Sequence, residues 1–362
     1  MNLGKKIPPL WKIRRELRRF GQQLRAPFEV ALSPLSSRIY QHFLKDRINI
    51  SNGLVPLKRN VALFLIYAPG GLYGSHLHTL KHLCDRGFSV LLVANHPLPP
   101  DTRKTLQPYV WRFIERPNFG YDFGGYRDGI LHLYSENIVP DHLLVLNDST
   151  WFPIYENDTL IDDMLLWSEN IRGFGKDYHK KSNHRSFVQS YFFMYNREIL
   201  KSRVFIDYWR SIILSSNKYL VIRRLEMGMS AHFERHGFSV RCLHDYSHIG
   251  KTLKNLPLHR KLSFLEYEAD RLGTQAETIA QNLMSGKDVS EGKWAELGRL
   301  SQIDGHVLKL PPELLIDVLN VSLIKKLRQP GFAEQRQDLI AKGFHKRMVK
   351  VIRDEIMEWD KT

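Results

Sequence analysis

The sequence predicts an α/β fold: a doubly wound, mostly parallel sheet with helices on both faces. Three observations carry that expectation. Residues 61–67, 88–94 and 143–146 are near-continuous apolar runs of strand length, the pattern of strands buried on both faces. Between them lie segments whose apolar residues recur at helical spacing, such as Leu77, Leu80, Leu83 and Cys84. Strands alternating with helices, punctuated by glycine and proline, give a parallel sheet.

The elements follow in order. Residues 1–50 form a basic appendage, in which Leu10, Ile13, Leu17, Phe20 and Leu24 share helical spacing beside Trp11. Lys5, Lys6, Lys12, Arg14, Arg15, Arg18, Arg19 and Arg25 face only Glu16 there. Such a helix suits an anionic membrane surface, or equally a solvated face packed on the domain. The first strand, 61–67, leads through a turn at 68–74 to a helix that Ser75 can cap and Gly87 ends. The second strand, 88–94, stops at Asn95. Asp101 caps a short helix, and 110–114 is the third strand.

Residues 113–148 are the stretch around which the rest is organised. A strand ends at 116 and is followed by Pro117-Asn-Phe-Gly-Tyr-Asp-Phe-Gly-Gly-Tyr-Arg-Asp-Gly129, an amphipathic segment, and the strand 143–146. This is one βαβ unit with polar groups at its carboxyl edge, where open α/β sheets bind ligands. The glycines are not a dinucleotide fingerprint in register, and no Gly-Lys-Ser/Thr phosphate loop occurs. Gly120, Gly124 and Gly125 let backbone approach a ligand closely. Asn118, Asp122, Arg127 and Asp128 crowd the same turn. Asn147, Asp148 and Ser149 end the next strand; Asp148 suits a divalent cation bridging two phosphates, or a turn aspartate.

Residues 189–195 read as a further strand, and 199–213 as a helix. Glu226 then opens a helix that ends at Gly237-Phe238, where a carboxylate serves as a general base or simply favours the helix dipole. Beyond Gly250, the stripe Leu265, Ala269, Leu272, Ala276, Ile279 and Leu283, together with 310–327 and 344–359, predicts helices. No Cys/His metal spacing appears, and His76, His78 and His82 read as satisfied histidines more readily than as ligands.

Composition sets the outer bounds. The 362 residues leave room for two domains, or for one with extensions. The division expected is a basic N-terminal extension over 1–55, a sheet domain over 56–250 and an α-helical region over 251–362. Hydrophobic residues, 43% of the chain, suffice for a sizeable core. No apolar run approaches the ~20 residues of a membrane span, and no secretory signal is expected. Cys84 and Cys242 fall in separate units, so no disulfide is expected and a reducing, cytosolic compartment is the simpler reading. A net charge of +15 calls for nucleic acid, an anionic membrane or phosphorylated ligands as partner.

The order Asn118-Phe-Gly-Tyr-Asp-Phe-Gly-Gly-Tyr-Arg127, Leu-Asn147-Asp-Ser, Gln189-Ser-Tyr-Phe and Leu-Glu226-Met-Gly resembles the rhamnan-synthesis F family of bacterial glycosyltransferases, over roughly residues 58–245. It is also similar to the wider inverting GT-A transferases. The resemblance implies a GT-A-like domain over 56–250. It implies that Asn118, Gly120, Asp122, Gly124 and Arg127 lie along a sugar nucleotide. Tyr67, Asn95, Asp128 and Asn147, beside them at the same edge, are expected to bind substrate as well. The resemblance implies Asp148 as metal ligand for Mg²⁺ or Mn²⁺, Glu226 as general base, and Gln189 on the donor-sugar or acceptor side. The donor implied is dTDP-rhamnose or similar; the acceptor is a cell-surface polysaccharide or lipid-linked oligosaccharide. The enzyme would sit in the cytoplasm or peripherally on the inner face of the membrane. The usual Asp-x-Asp is here reduced to Asn147-Asp148-Ser149.

Two other function classes compete. A binding-only relative would hold a sugar nucleotide or glycan without transfer. A nucleic-acid-binding protein would use the basic charge, but no arginine-aromatic ladder or recognisable binding fold supports it.

Overall fold

The computed structural model describes residues 21, 23–29, 31–32, 40, 47–178, 186–215, 217–304 and 306–361. Most of the expected N-terminal amphipathic stripe, Leu10 to Phe20 with Trp11, lies outside them. Leu24 falls within a described helical stretch, where its side chain is exposed.

In chain order the elements are β1 (Asn49–Asn52), β2 (Asn60–Ile66), α1 (Gly74–Asp85), β3 (Phe88–Ala94), β4 (Arg112–Glu115), α2 (Tyr121–Ser135), β5 (His142–Asn147) and β6 (Thr150–Trp151). There follow β7 (Ile171–Tyr178), β8 (Ser186–Val188), β9 (Phe192–Asn196), α3 (Arg203–Ser211), α4 (Met227–Arg235), β10 (Val240–His244), α5 (Tyr246–Asn255), β11 (Ile324–Lys325) and α6 (Lys350–Trp359), with further helices between α5 and α6 and shorter ones earlier in the chain. The main sheet runs β1-β4-β3-β2-β5-β9-β7-β10, and β8 pairs with β7. Pairings β4-β3, β3-β2, β2-β5 and β7-β10 are parallel. Strand β9 runs against both neighbours, so β7 and β10 point the same way as β2 to β5. The mixed α/β architecture with a mostly parallel sheet is therefore present, as the buried apolar runs require.

Successive strand residues point to opposite faces, and β2 shows it. Ala62, Phe64 and Ile66 join Leu80 and Leu83 of α1 in one core. Val61, Leu63 and Leu65 join Phe123, Tyr126, Ile130 and Leu133 of α2 in the other. Each fully buried Leu or Phe contributes roughly 1.5–3 kcal/mol relative to exposure. Helix α1 covers one face and α2 the other, and β3 and β4 lie on one side of β2 with β5 on the other, so the topological switch falls between β2 and β5.

The glycine run differs from the expected turn. Only 117–120 is a turn; Gly124, Gly125 and Gly129 lie inside α2. A Cβ on Gly124 would meet the Phe119 carbonyl oxygen at 2.2 Å, one on Gly125 would meet Leu65 Cδ1 at 2.4 Å, and one on Gly129 would meet Leu63 Cδ1 at 2.6 Å. These glycines let α2 lie close against its own entry loop and the sheet, not against a ligand.

Other helices are shorter than periodicity suggested. Ser202 breaks 199–213 into two, its side chain accepting from the Phe205 N–H as a cap. The stripe from Leu265 to Leu283 is cut at Gly273, which takes φ 55°. Residues 310–327 are not one helix. A π-helical turn, Glu313–Val318, is stopped at Asn320 (φ 48°), and the chain extends into β11.

The region after residue 250 packs on the α1 face of the sheet. Strand β11 pairs antiparallel with β6, Ile324 opposite Trp151 and Lys325 opposite Thr150. Ile352 and Ile356 of α6 belong to the same core as Leu80 and Leu83. Buried Arg336 donates to the carbonyls of Lys325 (2.8 Å) and Leu327 (2.9 Å), fixing the exit of β11. Among the described residues no helix is long and apolar enough to cross a membrane.

Candidate active site

The carboxyl ends of β2 and β5 place Tyr67 beside Asp148. The Tyr67 N–H donates to Asp148 Oδ2 at 2.7 Å, and the Asp148 N–H donates to the Leu65 carbonyl at 3.0 Å. His76 Nε2 lies 3.8 Å from the same carboxylate oxygen. The Tyr67 ring is half exposed and meets His96 edge-on.

Asn147, one residue earlier, is the hub of a hydrogen-bonded network. Its Nδ2 donates to Asp122 Oδ2 (3.1 Å) and to the Tyr126 hydroxyl (3.0 Å). The Tyr126 hydroxyl donates to the Ser190 carbonyl at 2.8 Å. The Ser190 hydroxyl in turn donates to Glu226 Oε1 at 2.7 Å. On the other side, Asn147 Oδ1 accepts from the Ser149 hydroxyl at 2.5 Å, and Lys325 Nζ donates to that hydroxyl at 2.8 Å. Asp122, Glu226 and Lys325 come from α2, from the turn before α4 and from β11, far apart in sequence. One network joins them.

Local structure sets each position. Gly120 (φ 81°) and Tyr121 (φ 50°) both take left-handed conformations at the entry to α2. For a tyrosine that conformation is strained, and strain of this kind collects at functional sites. Glu226 ends a π-helical turn, Val221–Glu226, directly before α4. Such turns are rare and concentrate where side chains must be re-aimed.

The electrostatics reflect crowding. Burial, then the charge of Asp148, push the Asp122 carboxyl up to about 6; Glu226 adds to the rise, while Lys325 and Lys218 oppose it. Burial raises Asp148 too, against the Tyr67 N–H and the charge of Lys326. Burial and the charge of Lys326 hold His76 down to about 3, so it stays neutral. His76, His78 and His82 each have a partner within the protein: the Tyr73 N–H, the Pro153 carbonyl and Asp158.

Four expected ligand residues lie elsewhere. Asn95, Arg127 and Asp128 are buried around Arg116, which donates to Asp128 Oδ2, Asn95 Oδ1 and the Phe119 carbonyl, each at 2.6 Å. Arg127 Nη1 pairs with Asp128 Oδ1 at 3.3 Å. This group braces the 117–120 turn from beneath. Tyr40 stacks on Phe119 and its hydroxyl donates to Asp128. Gly124, as above, faces its own loop. A fifth, Gln189, is buried and turned inward to His306 (Nε2 to Nε2, 2.8 Å) and to the Tyr191 hydroxyl. Asn118 is exposed at the turn, and Gly120, Asp122 and Asn147 stand at the edge.

Sequence reasoning missed Tyr126, Ser190, Lys325 and Lys326. The first two adjoin residues already singled out, and their polar tips amid apolar neighbours were the available signal. The lysines lie in Leu-Ile-Lys-Lys, which carries no motif.

A divalent cation does not suit this donor set. Asp148 is the one carboxylate on the Asn147-Asp148-Ser149 segment, and its Oδ2 is held by a backbone N–H. The Asn147 and Ser149 oxygens are bonded to each other, and the ammonium groups of Lys325 and Lys326 stand beside the segment, with Asp122 as the neighbouring carboxylate. Among the described residues no three His, Cys, Asp or Glu side chains converge as metal ligands do.

Several known proteins are similar to this chain. Protein y4gN of Sinorhizobium fredii is 33% identical over 97% of this chain and 92% of its own length. Virulence protein VirA of Vibrio anguillarum is 29% identical over 58% of this chain and 66% of its own. The structure of mannosyltransferase Ktr4p from S. cerevisiae aligns with 50% of this chain and 69% of its own, at 9% identity and a TM-score of 0.26, too slight a likeness to argue from. The family described as rhamnan synthesis protein F matches residues 90–269, which run from within β3 to beyond α5 and hold Asp122, Asn147, Asp148 and Glu226. With that match across the network and a relative alike along nearly its whole length, the chain belongs to the rhamnan synthesis protein F family.

Proposed function

We propose that the chain is an inverting glycosyltransferase. It moves a rhamnose or similar deoxyhexose from a dTDP-sugar to a cell-surface polysaccharide or lipid-linked oligosaccharide. The observation that carries this reading is the network that gathers Asp122, Glu226 and Lys325 around Asn147, beside Asp148, at the carboxyl edge of the sheet. Family membership and the charge pattern at that edge support it.

Inverting transfer forms a bond from the acceptor oxygen to the anomeric carbon while the bond to the diphosphate breaks. The hydroxyl proton goes to a base, and the electron pair leaves with the phosphate. Glu226 fits the base, because the Ser190 hydroxyl holds one oxygen of its carboxylate in place. Asn118, Gly120 and the exposed Tyr67 ring fit the nucleotide side. Asp122, held at the same edge by the Asn147 amide, fits an acceptor of a sugar hydroxyl. The membrane-facing role of the basic N-terminal stretch belongs to this reading, because a lipid-linked acceptor presents its glycan at such a surface.

The test is a panel of nucleotide sugars with glycan or lipid-linked acceptors, followed by detection of the glycosylated product and released nucleotide. A product with inverted anomeric configuration supports the reading. Binding of a sugar nucleotide without turnover for any acceptor favours a binding-only relative instead.

A further inference from the structure

Lys325, which ends β11, and Lys326, directly after it, flank the Asn147-Asp148-Ser149 segment from two sides. Strand geometry explains how: adjacent residues project oppositely, and β11 is tied to β6, which begins immediately after Ser149. The Lys326 N–H also donates to the Ser149 carbonyl at 2.8 Å, so the register is held on both strands. Lys325 Nζ donates to the Ser149 hydroxyl (2.8 Å) and lies 3.8 Å from the centroid of the Tyr191 ring. Lys326 Nζ donates to the Ser75 hydroxyl at 3.0 Å, among the rings of Tyr73, Trp151 and Trp359.

Both lysines are about 8% exposed. Withdrawing an ammonium from water costs several kcal/mol, so two of them beside one short acidic segment call for a compensating anion. Lys326 has two, since Asp148 and Glu355 both act on it, and Glu355 accepts from Ser75 and Trp151. The charge of Lys325, in turn, acts on Asp122. Lys325 stands on the side of Asp122 and Asn147. An ammonium carries three N–H donors and can exchange a protein partner for a phosphate oxygen. A point charge held in a dry site neutralises a leaving diphosphate as a cation does.

We propose that this chain binds and releases its nucleoside diphosphate without a divalent cation, and that Lys325, delivered by β11 to Ser149, is the side chain that meets the phosphate oxygens. Lys326 positions Asp148 and Ser75 behind it. The proposal rests on the transferase reading above. It extends the site to residue 325, beyond residues 90–269 that match the family.

The test is calorimetric titration of the full chain with dTDP and with UDP, first in excess EDTA and then with Mg²⁺ or Mn²⁺. The expected result is a dissociation constant for one of these nucleotides that changes less than about twofold on adding metal. Lys325→Met should weaken it about tenfold or more, the loss of one charge-assisted hydrogen bond, and metal should not restore it. Lys325→Arg should keep most of the affinity. If Lys325→Met does not fold, the wild-type comparison with and without metal still decides. Binding that appears only with metal, or a folded Lys325→Met that binds like wild type, overturns the lysine proposal and leaves the transferase reading standing. No binding of either nucleotide under any condition overturns both.

Discussion

At the residue scale, chemistry turns on which carboxylate does what. Glu226 and Asp122 end the same network but sit in different surroundings: a serine hydroxyl and N–H hold Glu226, whereas burial and Asp148 push Asp122 up to about 6. Glu226→Gln should keep the fold and nucleotide affinity and lower turnover ~10²-fold or more. Steady-state rates beside nucleotide titration check this, and unchanged turnover removes Glu226 from the base role. Asp122 makes a separate prediction about pH. Its folded pKa lies above the ordinary value of 3.8, so the folded state favours the protonated form. Stability is then greatest below about pH 4, falls as pH rises through about 6, and carries the full penalty above that. Asp122→Asn should remove on the order of 2 kcal/mol of that penalty at neutral pH and change little near pH 4, as urea denaturation at the two pH values would show. A variant less stable than wild type at neutral pH contradicts this account.

At the scale of elements, two devices set the site. One is the small-residue face of α2. A methyl on Gly124 meets backbone at 2.2 Å, whereas one on Gly228 of α4 meets nothing within 4 Å. Gly124→Ala should therefore cost about 1–3 kcal/mol by overpacking and weaken nucleotide binding by displacing the 117–120 turn. Gly228→Ala, two residues from Glu226, should be neutral or stabilise by up to about 1 kcal/mol, because alanine costs the helix less. Thermal unfolding of the two variants side by side distinguishes packing from mere proximity to the site. The second device is the turn that carries Glu226. The helix ending at Gly237 was readable, and its Met229 and Phe233 are buried with Leu225 of the preceding turn. The extra residue of the π-helical turn was not, because it follows from contacts that no periodicity records.

At the scale of the whole molecule, the region after residue 250 shares a core with the sheet. Ile352 and Phe64 belong to one cluster, and Arg336 holds the carbonyl of Lys325. Ile352→Ala should cost about 2–5 kcal/mol and shift a single unfolding transition rather than melt a separate C-terminal unit. Fluorescence from the buried Trp151 and Trp294, set against circular dichroism, reports whether the two regions unfold together.

What the sequence determined by itself was the architecture and the acidic half of the site. Apolar runs at 61–67, 88–94 and 143–146 can be buried only between two layers, and parallel strands bring their carboxyl ends to one edge, so Asp148 had to stand beside Tyr67. Asp122 follows β4 onto the same edge, whereas Glu226, singled out by the order of motifs, reaches the network through the turn before α4. What only the tertiary structure decided was which polar groups face that edge and which brace it. Arg127, Asn95 and Asp128 share the chemistry of ligands, but Arg116 draws Asn95 and Asp128 beneath the turn, and Asp128 holds Arg127 there. Lys325 and Lys326 have no local signal, yet pairing of β11 with β6 carries them to Ser149. Strand pairing over such a distance is set by the packing of two apolar faces, and nothing in the two lysines' own neighbourhood encodes it.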